Sequence, residues 1–189
     1  MFPYGTPKEQ QSEDCLYLTV YRPGDSTGKS LPVLVFIHGG AFMSGSGDFA
    51  MQQPTEWMDK YPEFIFVNLN YRLNAFGFFA LDTVNEDDVH GNFGLYDQNA
   101  ALKWVYDNIA HFGGDKDQIT LMGQNAGGQS AIVHTIWEES SQYFNKLIID
   151  SAPTAIPTGA NDTDYYRHMG KTFLQETDYG FKNGVSRIR

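Results

Sequence analysis

Residues 15–21 alternate between polar and apolar positions, are rich in Leu, Tyr and Val, and are closed by Arg22-Pro23-Gly24, a pattern that predicts a strand. Four further runs of strand length are apolar almost throughout: 32–37, 64–70, 119–122 and 147–149. Runs of this kind suit a parallel sheet buried on both faces. Helical periodicity lies between the last three. Leu102, Val105, Tyr106, Ile109 and Phe112 recur on one face, and Gly113-Gly114 supplies the stop. A glycine-rich turn after Met122 leads into a predicted helix over 128–137. Strand, turn, helix and strand in this succession predict an α/β fold, a mostly parallel sheet with flanking helices. From Ala155 onward the chain turns polar and is broken by Pro157, Gly159, Gly180 and Gly184. There is no repeat and no low-complexity segment.

Composition narrows the partners. A chain of 189 residues suits one domain and can bury a core. With 41% hydrophobic and 19% charged residues it does not have a disordered composition. A net charge of -10 argues against nucleic acid and anionic membrane surfaces, which need clustered Lys and Arg. Fourteen Phe and eleven Tyr point to an aromatic-lined interior. The single cysteine, Cys15, excludes an internal disulfide and a cysteine-based zinc cluster, and leaves the redox compartment open. No apolar run reaches the roughly 18 residues of a membrane helix. The stretch 1–11, with Pro3, Gly5 and Pro7, lacks the apolar core of a signal peptide, so localisation stays unknown. Asn161-Asp162-Thr163 is a lone match to a glycosylation acceptor.

Two glycine-bearing segments carry the chemistry. His38-Gly39-Gly40-Ala41-Phe42 directly follows a predicted strand, where glycines let the backbone turn sharply and aim N–H groups into one space. Such a segment can donate to a developing oxyanion; the plainer reading is a glycine turn. Gly123-Gln124-Asn125-Ala126-Gly127 stands between a strand and a helix and fits the tight nucleophile elbow, G-x-S-x-G, except that its centre is Asn.

The ordered blocks resemble type-B carboxylesterases and cholinesterases. Ser12-Glu13-Asp14-Cys15-Leu16 through Val20 is similar to the family's Glu-Asp-Cys-Leu signature. Residues 32–45, Asn70-Tyr71-Arg72-Leu73, 91–98 and 108–115 look like successive blocks leading to the elbow. The resemblance is strongest over 12–153 and implies the N-terminal portion of an α/β-hydrolase fold, with 1–189 as a single partial domain. Family members hydrolyse carboxylic esters through a Ser–Glu/Asp–His triad. Matched residue by residue, Asn125 stands at the nucleophile position, and Gly40, Ala41 and Ala126 at the oxyanion-hole positions, with Gly39 shaping the turn. Gly123, Gln124 and Gly127 are the elbow's neighbours, Gln124 standing where the family usually has Glu. Ala41 for a third Gly is a mild change, because the hole uses its backbone N–H.

An Asn side chain cannot replace the serine hydroxyl: its nitrogen lone pair is delocalised into the carbonyl. It does tolerate the positive φ that the elbow demands. In this fold the order is nucleophile, acid, His, and the family places the acid and His further downstream than this chain extends. His134 is expected as a packed helix residue. Asp150 with His168 is the conceivable improvised pair, lacking any family motif. Cys15 matches a family cysteine that bonds an upstream partner missing here, so the chain looks truncated at both ends. Ser151 matches a family serine that buttresses the acid and reads as structural; Ser44 and Ser46 read as loop residues.

The leading expectation is a carboxylesterase-like protein that is catalytically impaired or inactive. The alternative is a non-catalytic binding protein, as the family's adhesion members are. A small-molecule carboxylic ester or related ligand is the implied partner, a protein partner stays open, and no cofactor or metal is implied. Trp57, Trp104 and Trp137 are candidates for a ligand pocket or for the core, with Trp104 on the helix whose apolar face packs on the sheet. Asp82, Glu86, Asp87 and Asp88 read as a solvated loop, since no ordered ligand spacing favours a cation.

Overall fold

The computed structural model describes residues 12–24, 26, 28–79, 91–153 and 172. The acidic stretch from Asp82 to Asp88, Asn161, His168 and the polar segment from Ala155 lie outside the described residues, Thr172 apart. Five strands, β1 (Leu18–Tyr21), β2 (Leu31–Ile37), β3 (Ile65–Leu69), β4 (Gly114–Gln124) and β5 (Lys146–Asp150), form one sheet in the order β1-β3-β2-β4-β5. Strands β3, β2, β4 and β5 are mutually parallel, with Val33 beside both Ile65 and Ile119 and Thr120 beside Lys146. Among the described residues only β1 runs antiparallel, Leu18 pairing Leu69 at the sheet's margin.

Each predicted strand is present. The burial expected on both faces holds for β3 and for β2 from Val33 to Ile37, where side chains alternate between two clusters. Val33, Val35, Ile37, Ile65, Val67, Leu69, Ile119 and Leu121 face one side, beneath Leu102, Val105 and Ile109. Leu34, Phe36 and Phe66 face the other and pack against Met58 and Met122. The expectation fails at β5, where Leu147, Ile148 and Ile149 are 37–44% exposed. This strand has a neighbour on one side only among the described residues.

The flanking helices are α1 (Thr55–Lys60), α2 (Asn74–Phe78), α3 (Phe93–Asn108), α4 (Ala126–Ile136) and α5 (Glu138–Ser141). The periodicity locates only the second half of α3. Its first half turns Gly94 and Gln98 inward, both buried, so an apolar stripe never forms there. Trp104, a candidate for the pocket or the core, is 38% exposed and tilts against Phe112. Among the described residues no helix is long and apolar enough to cross a membrane.

Candidate functional site

Because β2, β4 and β5 are parallel, their carboxyl ends open on one edge of the sheet, the usual position of a ligand crevice in such folds. Ile37 leads into the 38–45 turn, Gln124 into Asn125, and β5 ends at Asp150. The strand register brings them together: Ile37 pairs Gly123 and Gln124 pairs Asp150. The Asn125 N–H donates to the Asp150 carbonyl at 2.9 Å, so the elbow is tied to the next strand end.

Asn125 adopts φ 54 and ψ -118, a backbone conformation that costs most side chains dearly. Its neighbours make the strain unavoidable. A Cβ on Gly123 would strike the Gly127 carbonyl, and one on Gly127 would strike the Ile37 carbonyl. A Cβ on Gly39 would lie 2.9 Å from the Asn125 Cβ and 2.5 Å from the Gln124 side-chain oxygen. The three glycines therefore let α4, the elbow and the turn after β2 approach to backbone contact. α4 starts at Ala126, which is buried and does not itself line the crevice.

The turn after β2 is strained too. Gly40, Ala41, Phe42 and Gly45 all have positive φ, two of them without the freedom of glycine. Side chains from the segment after β3 over-determine it. The Tyr71 hydroxyl donates to the His38 carbonyl at 2.8 Å. Asn74 donates through Nδ2 to the Met43 carbonyl and through its backbone N–H to the Phe42 carbonyl. Asn70 Oδ1 accepts from the Gly47 N–H at 2.7 Å and from the Ser46 hydroxyl. His38 is buried, stacks on Tyr71 at 4.4 Å and donates through Nδ1 to the Gly39 carbonyl. Burial lowers its pKa, so the imidazole stays neutral and structural. Arg72 is anchored in turn by Asp97, to which it donates through Nε and Nη2 at 2.8 and 2.7 Å.

The two strained segments face each other. Asn125 Oδ1 accepts the Ala41 N–H at 3.2 Å and the Gly40 N–H at 3.4 Å. The amide carbonyl of the elbow residue thus fills the point on which these two donors converge. Around it opens a cavity of about 880 Å³. Phe36, Met43, Trp57, Phe66 and Met122 supply its apolar wall, and Gln124, Asn125 and Asp150 its polar end.

The sequence-predicted residues divide accordingly. Gly39, Gly40, Gln124, Asn125 and Asp150 line the cavity, as do Ser44 and Ser46, which are loop residues. Gly123 and Gly127 act from behind. His134 is a packed helix residue, buried between Gln98 and Ser140. The Ser151 hydroxyl donates to Asp150 Oδ1 at 2.7 Å and so buttresses that carboxylate. Of the tryptophans only Trp57 reaches the cavity; Trp137 packs edge-on to Tyr96. Met43 and the anchors Asn74 and Asn68, the latter donating through Nδ2 to the Gly47 carbonyl at 2.7 Å, were not legible, because their roles arise from contacts with loop backbone that periodicity does not describe. Among the described residues no cluster of three or more His, Cys, Asp or Glu could hold a metal ion.

Comparison with known proteins agrees with this architecture. The para-nitrobenzyl esterase of Bacillus subtilis is 44% identical over 153 residues, covering 81% of this chain and 31% of the relative. The juvenile hormone esterase of Tribolium castaneum is 46% identical over 148 residues, covering 78% of this chain and 24% of the relative. A solved structure of a thermophilic PNB esterase superimposes with a TM-score of 0.77 at 39% identity, over 89% of this chain and 33% of that one. The chain thus spans about a quarter to a third of the length of these proteins. With the carboxylesterase family pattern matching residues 1–186, the chain belongs to the carboxylesterase family and has the α/β-hydrolase fold.

Proposed function

We propose that this chain forms a carboxylesterase-type ligand site that is catalytically impaired or inactive toward esters. One observation carries the reading: Asn125 Oδ1 accepts both the Gly40 and the Ala41 N–H. The elbow lacks a hydroxyl, and its amide carbonyl competes with a substrate carbonyl for the donors that would stabilise an oxyanion. The base is a second deficit. No histidine lines the cavity among the described residues, and both His38 and His134 are spent in buried hydrogen bonds. The size and apolar wall of the cavity favour the binding reading, in which a carboxylic ester or a similar neutral molecule is held without turnover.

Fluorophosphonate labelling and p-nitrophenyl ester hydrolysis test this. The chain should neither label at the peptide bearing Asn125 nor hydrolyse ester above background. Asn125→Ser should free the two N–H donors and still give far less than the ordinary enzyme turnover of about 1–10³ per second, for want of a general base. Stoichiometric labelling of the unaltered chain would overturn the proposal. So would enzyme-range turnover of Asn125→Ser that His168→Ala abolishes.

A further inference from the structure

The conformation that lets Asn125 occupy the elbow also prepares a reaction of its own side chain. In an L-residue, Cβ lies about 120° from the backbone nitrogen around the Cα–C axis, a consequence of the tetrahedral centre. At the observed ψ of -118, the Cα–Cβ bond therefore nearly eclipses the bond from the Asn125 carbonyl carbon to Ala126 N. Cβ, Cα, C and Ala126 N are close to coplanar, which is the arrangement of four of the five atoms of a cyclic imide. At a helical ψ near -42°, Cβ would be swung about 80° out of that plane.

The remaining ring atom, Cγ, is the carbon of the amide whose Oδ1 accepts the Ala41 and Gly40 N–H groups at 3.2 and 3.4 Å. Negative charge that builds on Oδ1 during attack at Cγ is met by two donors already held in place. The attacking atom is suited to its part. Ala126 is the first residue of α4, so its N–H has no acceptor within the helix. The positive end of the helix also favours the nitrogen anion left when that proton departs. Asn125 is half-buried and lines the cavity, so solvent has access to the products of the first step.

We propose that Asn125 is a self-modification site, deamidating in the folded chain through a cyclic imide closed by Ala126 N. Ala126 N gives its proton to a solvent base and bonds to Cγ, placing the electron pair on Oδ1. When that pair returns, the Cγ–Nδ2 bond breaks and the nitrogen leaves with an added proton as ammonia. Water then adds to one of the two imide carbonyls. Opening at Cγ gives aspartate, and opening at the main-chain carbonyl gives isoaspartate. The aspartate product keeps both hydrogen bonds, now charge-assisted, at a helix N-terminus that favours an anion. None of this depends on whether the cavity acts on an ester.

The experiment compares the purified chain in native buffer with the same chain in concentrated urea at equal, mildly alkaline pH, in ordinary and heavy-oxygen water. Trypsin digestion and tandem mass spectrometry follow the 117–146 peptide, whose fragment ions separate Asn125 from Asn145. Deamidation at Asn125 should run at least about tenfold faster folded than denatured, a modest floor beside the ~10²–10³ that one oxyanion donor contributes. It should incorporate heavy oxygen, and it should vanish in Ala126→Pro, which lacks the N–H and is suited to a first helical position. A native rate equal to or below the denatured rate, or unchanged deamidation in folded Ala126→Pro, overturns the proposal. If that variant does not fold, the native-to-denatured ratio of the unaltered chain decides alone.

Discussion

Acid should unfold this protein in part through His134. The side chain is fully buried on the inner side of α4. Gln98 Oε1 can only accept, so Nε2 carries the proton and donates to it at 3.0 Å, while Nδ1 accepts from the Ser140 hydroxyl at 2.7 Å. A second proton would have to enter at Nδ1 and displace the Ser140 hydrogen. Burial pushes the pKa from 6.5 down to about 4. The folded state therefore holds His134 neutral where the unfolded chain takes up a proton. The stabilisation is present above the unfolded pKa of 6.5 and is lost as pH falls towards 4. Integrated over the window it amounts to about 3 kcal/mol, of which about 2 kcal/mol is gone by a pH of about 5. Urea melts at about pH 7.5 and about pH 5 should show that loss in the unaltered chain beyond any shared by His134→Gln, since Gln does not titrate. His38, whose pKa burial also lowers, and the carboxylates titrate in both proteins and cancel. Equal losses in the two proteins, or an NMR titration of His134 near the unperturbed 6.5, would refute the argument.

Two substitutions probe the elbow and its turn. Tyr71→Phe removes the hydrogen bond to the buried His38 carbonyl and should cost about 1–3 kcal/mol. Amide hydrogen exchange in residues 40–45 should quicken more than the global change requires, and uniform exchange would contradict the anchoring role. Gly127→Ala drives a methyl into the Ile37 and His38 carbonyls and should cost about 3 kcal/mol or more. Gly24→Ala, with nothing within 4 Å of the new methyl, should stay within about 0.5 kcal/mol; equal melting points would show that α4 can yield.

How much was legible follows from what each residue's role depends on. The strands β2 and β3 declare themselves because a strand buried on both faces must be apolar at every position. β4 was found only at 119–122. Its earlier residues, polar from Asp115 to Gln118, join through a register shift between Leu31 and Val33 that no local pattern encodes. The first half of α3 escaped because Gln98 is buried to hold His134, a long-range need. The 38–45 and 123–127 segments were recognisable, since close backbone approach demands small residues at set spacings.

The sequence by itself determined the sheet-and-helix alternation, the family, and that an amide side chain stands at the centre of the 123–127 turn, at position 125. Those are statements about residue identity and local period, which the chain carries in one dimension. Only the tertiary structure decided what that amide does. Gly40 and Asn125 are 85 positions apart, and their meeting depends on β2 and β4 lying parallel in register and on Tyr71 and Asn74 holding a strained turn. A hydrogen bond needs donor and acceptor within about 3.5 Å, a condition that spacing along a chain does not specify and a folded sheet does.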